Sequence, residues 1–441
     1  MLTIAMLPAL AVSQVNLQIE KYQLPNGLTV ILHEDHSAPV VACVMMYHVG
    51  SKNEKVKRTG FAHLFEHMMF QGSENVGDDQ HFKLLQEVGA QINGSTTEDR
   101  TNYFEVVPSN QLELALFLEA DRMGHLLPAM TQEKLDNQRD VVKNERRQRV
   151  DNVPYGTAFE RISKAMYPAS HPYSWPVVGY MEDLSAASLE DVKDFFRVYY
   201  APNNAVVSLA GDFDPKEAKV LVEKYFGAIQ QGKAIERPAE VPVSIPANIL
   251  QVVEDKVQLP RLYLTWHSVK GETRDEAVMD VLGQILSSGK SSRLFKTLVY
   301  DRQIAQSVQA SQSSNEIAGL FHVIATAKPG HTLGEINGVI DTVIADLLTG
   351  GVTQEEIDKT VTGVEAGVIN GMTTVLGKAN SLANYQLMTG DPGRINRQMD
   401  QYKDITPAEV LAAAKKYLSA PRMLLNIVPQ GKTELAIQKI Q

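Results

Sequence analysis

Apolar residues fall in two rhythms along the chain, and the same order of rhythms occurs twice. Val40–Val49 (VVACVMMYHV) is a near-continuous apolar run of strand length, followed by a turn and a helix-like stretch over Gly60–Phe70. Further on, Arg261–Val269 (RLYLTWHSV) is again strand-like, a turn follows at Gly271, and Asp275–Leu286 has helical spacing. Each strand carries a histidine near its end, His48 and His267, shortly before Gly50 and Gly271. Leu112–Leu127 and Ala218–Ile229 repeat apolar residues at helical spacing, and Val206–Leu209 is a short strand closed by Gly211. Between the two halves, Gln230–Ile249 lacks helical periodicity and carries Pro238, Pro242 and Pro246, the pattern of a linker. These features predict an α+β protein of two similar αβ domains, residues 15–229 and 250–441, with helices packed on antiparallel-rich sheets.

Composition narrows the function classes. Hydrophobic residues make up 44% of the 441 and charged residues 21%, which excludes a disordered or low-complexity chain. The formal net charge of −10 argues against a duplex nucleic-acid partner, which selects a basic footprint. The single cysteine, Cys43, excludes an intrachain disulfide and a cysteine zinc cage. No apolar run reaches the roughly 18–20 residues of a membrane span. Met1–Val12 (MLTIAMLPALAV) is mostly apolar and leads to a small-residue Ala11-Val12-Ser13 site, but it lacks a basic start. It reads as an export-signal remnant over residues 1–14 and implies a periplasmic or exported protein; the alternatives are a short buried strand or a frayed start, and a cytoplasmic location.

The chemistry is concentrated in His63-Leu64-Phe65-Glu66-His67. On a helix His63 and His67 project from one face, a spacing that suits two nitrogen ligands of one zinc ion. Glu66 lies beside that face, where a carboxylate can take a proton from water acidified by the metal. The order H-x-x-E-H inverts the commoner metalloprotease signature. The alternative is a solvated helix face with two ordinary histidines. Catalytic zinc usually keeps three protein ligands and an open position. The helical stretch Thr131–Val150 offers Glu145 and Glu133 as the third; Glu145 could equally pair with Arg149 at i+4, and helical spacing does not choose between the glutamates.

Over most of its length the sequence resembles the pitrilysin/insulysin family of inverted zincins, which includes the mitochondrial processing peptidases. The resemblance is carried by Leu24-Pro25-Asn26-Gly27-Leu28, Gly50-Ser51, Glu54 and Gly60–Met68 with Phe70 and Gly72. It continues through Asn93-Gly94-Ser95-Thr96-Thr97, Thr101-Asn102-Tyr103, Arg139-Asp140-Val141-Val142 with Glu145, and Ser291-Ser292-Arg293-Leu294-Phe295. It implies that His63, His67 and Glu145 bind one zinc per chain and that Glu66 is the general base. It also implies peptide-bond hydrolysis inside a chamber whose half-shell is formed by the two similar domains. Gln91–Thr97 resembles the edge strand on which the family's substrate peptide adds, with contacts at Asn93, Gly94, Ser95 and Thr96.

Three departures matter. Gly94 stands where the family usually has Ala, which loosens the strand. Gln138 stands where the family often has an outer-shell Glu, keeping hydrogen bonds and losing charge. Active single-chain and homodimeric members carry an Arg and a Tyr seven apart after the SSRL segment; here those positions are Val299 and Gln306. Arg293 and Tyr300 have the same spacing but fall six positions early. The implied arrangement is a heterodimer with a homologous subunit that lacks H-x-x-E-H and supplies the Arg/Tyr pair. A self-sufficient homodimeric peptidase and a non-catalytic structural subunit are the alternatives.

Overall fold

The computed structural model describes residues 16–238, 240 and 242–439, so the apolar Met1–Val12 segment and its Ala11–Ser13 site lie outside the described residues. The first half forms one sheet from β1 (Glu20–Gln23), β2 (Thr29–Glu34), β3 (Val40–Tyr47), β4 (Gln91–Thr96), β5 (Thr101–Pro108) and β6 (Ala205–Gly211), in the order β1-β2-β6-β3-β5-β4. The second half forms another from β7 (Ile249–Asp255), β8 (Arg261–Ser268), β9 (Ala305–Ser314), β10 (Gly319–Ala327) and β11 (Arg422–Pro429), in the order β7-β11-β8-β10-β9. Without β1 the two orders are the same. The parallel pair also recurs, β2 with β6 and β7 with β11, and every other pairing is antiparallel. This is the two-domain α+β duplication expected from the repeated strand–turn–helix pattern.

The apolar run at Val40–Tyr47 has a specific cause. From Val41 to Tyr47 every residue of β3 is buried, because both faces of the sheet are covered. One face packs on helices of its own half, with Leu28, Val30, Met45 and Tyr47 against Leu64, Phe65, Leu116 and Val222. The other face receives the helix Val375–Thr389 from the second half, whose Ala379, Leu382 and Ala383 meet Ile31, Val44, Met46 and Val206. The exchange is reciprocal. Helix Ala158–Met166 of the first half places Ala158, Ile162 and Met166 against Tyr263, Leu425 and Ile427 of the second sheet. Each half therefore lends one helix to the other's sheet.

A buried polar seam joins the halves. Lys52, whose side chain is 0% exposed, reaches Asp99 at 3.0 Å and also Glu316 in the β9–β10 turn. His48 Nε2 meets the same Glu316 oxygen at 2.7 Å, and Tyr173 OH donates to Asp99 at 2.6 Å. Burial raises the Glu316 carboxyl, but His48 and Lys52 outweigh it and hold the group at about 2. The segment after residue 229 carries no regular element up to β7 among the described residues. It is pinned as a strap: Arg237 donates to His48 O at 2.7 Å and to Asn204 Oδ1 at 2.5 Å.

Some element bounds differ from expectation. The stretch Thr131–Val150 is not one helix: an α-helix covers Gln132–Arg146, and a π-helical turn follows over Arg147–Asp151. The helix expected over Ala218–Ile229 spans Pro215–Phe226, because Asp214 caps its start and Gly227 follows its end. The helix Leu112–Ala129 breaks helical geometry at His125 (φ −128°, ψ 16°).

Candidate metal centre and active site

The helix Phe61–Met68 begins without a Ser, Thr or Asp cap. Glu54 takes that role from a distance, its carboxylate accepting from Gly60 N–H at 2.9 Å and Ala62 N–H at 2.8 Å. Gly60 enters the helix at φ 83°, and Gly179 lies so close that a Cβ on it would meet Gly60 Cα at 2.4 Å. The helix buries Ala62, Leu64, Phe65 and Met68 and leaves His63, Glu66 and His67 half-buried on its other side. The His63 and His67 rings sit 4.9 Å apart, centroid to centroid.

The second helix, Gln132–Arg146, is fixed beside the first by Arg146. That guanidinium donates to Gly179 O at 2.9 Å and to Glu160 at 2.8 Å. Its neighbour Glu145 is thereby presented to both imidazoles, with Oε2 3.6 Å from His63 Nε2 and 3.2 Å from His67 Nε2. The other oxygen, Oε1, receives Arg149 at 2.5 Å. The two sequence readings of Glu145, ligand and ion-pair partner, are thus compatible: each uses a different oxygen. Glu133 sits exposed in the first turn of the same helix and is not part of the cluster.

Electrostatics suit a cation. Burial, with His67 alongside, pulls the His63 imidazole down to about 4, so its neutral form prevails at neutral pH. The His67 contact holds the Glu145 carboxyl below its ordinary value. Burial pushes the Glu66 carboxyl up, against a hydrogen bond from Thr96. Two imidazole nitrogens and one carboxylate oxygen converging within 4.8 Å of one another are the donor set of a catalytic zinc. Among the described residues one other such trio occurs, His81, Glu105 and Glu119. It is sealed in the core, and a cation already occupies it: the Arg122 guanidinium, bonded to Glu119 at 2.9 Å.

The cluster opens into a cavity of about 490 Å³ lined by Glu66, Asn93, Gly94, Ser95, Thr96, Gln138 and Arg149, among others. Gln138 is buried on the helix that carries Glu145. β4 ends the sheet, so one side of it is unpaired. Thr97 N–H donates to Arg100 O across the hairpin. By antiparallel alternation this leaves the N–H and C=O groups of Ile92, Gly94 and Thr96 facing the open side.

In the second half, the counterpart position lies between helices Arg274–Ser287 and Gln354–Gly371, around a cavity of about 250 Å³. It presents Gln284, Ser288 and Lys359, with no metal-ligating trio among the described residues. Arg293 is held inside this half by a two-point pair with Glu356 (2.8 and 2.9 Å) and by Gly351 O. Tyr300 is 70% exposed, Val299 packs on the core, and none of these residues lines the His63 cavity. Sequence reasoning missed the Glu54 cap, Arg146 and the Thr96–Glu66 bond; Gly60 before an uncapped helix was the one local signal for Glu54.

Known proteins resemble this chain over most of its length. The family profile "Insulinase (Peptidase family M16)" matches residues 29–174, and the profile "Peptidase M16 inactive domain" matches residues 186–364. The chain is 29% identical to the zinc protease PqqE of Helicobacter pylori over 402 residues, 90% of each chain. It superposes on the crystal structure of a protease from Helicobacter pylori with a TM-score of 0.86 and 28% identity, covering 94% of this chain and 100% of that one. The periplasmic protease PqqL from Escherichia coli shares the fold alone, with a TM-score of 0.81 and 16% identity; the match covers 97% of this chain and 49% of PqqL. The repeated sheet, the metal-type cluster in one half and these matches agree: the chain belongs to the insulinase (M16) family of peptidases, as a two-domain member.

Proposed function

We propose that this chain is a zinc metalloendopeptidase acting on short or unfolded peptides, and that it is the zinc-bearing subunit of a two-chain enzyme. The observation that carries the reading is the convergence of His63, His67 and Glu145 beside Glu66 and an open strand edge. His63 Nε2, His67 Nε2 and Glu145 Oε2 would hold the metal. Zinc bound by three such donors acidifies a water and polarises a carbonyl.

The rest of the chemistry belongs to the chain. Glu66, raised by burial, accepts the proton of the attacking water and returns it to the departing amine. The backbone of Ile92, Gly94 and Thr96 pairs with an extended peptide, which holds the scissile bond in place without reading side chains. Asn93 and Ser95 sit on the same strand at the cavity wall and complete the substrate contacts. Only an extended segment can pair this way, so folded domains are excluded as substrates.

The two-chain reading rests on what the second half lacks. Val299 and Gln306 replace the Arg and Tyr of active family members, and Arg293 is committed to Glu356. PqqL is about twice as long as the region it shares with this chain, which fits a chamber built from two such lengths. A homologous partner would close the chamber and bring the missing pair. The description of PqqL as periplasmic and the apolar Met1–Val12 together support a periplasmic location. The test is hydrolysis of an unstructured peptide by the wild type and by Glu66→Gln, each assayed with the partner. The variant should keep its zinc and lose activity by several orders of magnitude; activity within about tenfold of wild type would assign the base elsewhere.

A further inference from the structure

The Thr96 hydroxyl is engaged within the chain, at the cavity wall. Its Oγ1 donates to Glu66 Oε2 at 2.5 Å, from the strand that would receive the peptide to the helix that carries the histidines. The other oxygen, Oε1, lies against Gly94: a Cβ built there would sit 3.2 Å from it and 3.3 Å from Glu66 Cγ. The carboxylate is therefore gripped at one oxygen by a hydroxyl and bordered at the other by bare backbone. In β4 the side chains of residues 94 and 96 share a face, so both constraints come from one strand at one level.

We propose that Thr96 is a positioning residue for Glu66: its hydroxyl fixes the rotation of the base carboxylate so that Oε1 faces the reacting water. This rests on the peptidase reading and assigns Thr96 a role toward the base in place of one toward substrate. Because Thr96 offers its backbone to the peptide and its side chain to Glu66, substrate pairing that orders β4 also steadies the base. Gly94 leaves that second oxygen more room than an alanine would, since a methyl there would sit 3.2 Å from it.

The experiment compares wild type, Thr96→Val and Thr96→Ser, assembled with the partner, on an unstructured nonapeptide. Binding of the same peptide to the metal-free protein is measured alongside. Thr96→Val keeps the shape and removes the hydroxyl. Its kcat should fall about 10–100-fold with KM nearly unchanged, while peptide Kd on metal-free protein stays within about twofold. Thr96→Ser, which restores the donor, should recover kcat to within about threefold. An unchanged kcat in Thr96→Val, in an active wild-type background, would overturn this proposal alone. A loss seen in Kd and KM instead would overturn it in favour of a substrate contact. An inactive wild type would overturn the peptidase reading, and this proposal with it.

Discussion

Glu145 divides its carboxylate between two neighbours, Oε2 toward His67 Nε2 at 3.2 Å and Oε1 toward Arg149 at 2.5 Å. Arg149 is 79% exposed, so this pair adds little to stability in itself. Its effect is on orientation: with Oε1 held, Oε2 is the oxygen left for the imidazole face.

That division makes the proposed ligand role of Glu145 testable apart from its helix. Glu145→Gln should weaken zinc binding by more than about 100-fold, because loss of an outer partner alone typically costs 10–100-fold. Arg149→Gln should cost about tenfold, and Glu133→Gln nothing measurable. Competition with a chelating indicator gives the three values.

The absence of an Arg/Tyr pair predicts a chain that is nearly inert alone. Loss of one oxyanion donor typically costs about 10²–10³ in rate, and the two positions here hold Val299 and Gln306. Peptide cleavage should appear when a homologous subunit carrying the pair is added. Full activity of this chain alone would contradict the two-chain reading. In that case Arg293→Ala and Tyr300→Phe would show whether the out-of-register pair supplies it.

The seam between the halves sets a pH dependence with a definite sign. Glu316 is held at about 2 against an ordinary 4.5, so its contribution is complete above about 4.5 and is lost as pH falls toward 2. Burial lowers the His48 imidazole, so the unfolded chain takes up its proton first and stability also falls below about 6.5. Tm should therefore drop steadily from pH 7 to pH 4. Lys52→Met, which leaves Asp99 and Glu316 without their cation, should cost about 3–5 kcal/mol at pH 7 in denaturant titration.

What was legible in the sequence was what depends on near neighbours. His63 and His67 share a face because they are four apart, and β3 shows itself as an unbroken apolar run because both of its faces are covered. What was not legible depends on segments far apart in the chain. Lys52 sits in a polar turn and would pass for a surface residue; it is buried because Asp99 and Glu316 arrive from two distant hairpins. The helix Val375–Thr389 shows small residues, Ala379 and Ala383, with no hint that they fit a sheet of the other half. Glu145 and Glu133 lie on one helix, and only the packing of that helix against Phe61–Met68, fixed by Arg146, separates them. Thr96 reads as a strand residue, and its bond to Glu66 follows from the register of β4 with β5.

The most direct test is the metal content of the purified chain, wild type beside His67→Ala. The account predicts about one zinc per wild-type chain and little in the variant, with the fold intact, because His67 supplies one of three donors at a site open to the cavity. Equal zinc in the two proteins would contradict it and place the metal, and with it the active site, elsewhere.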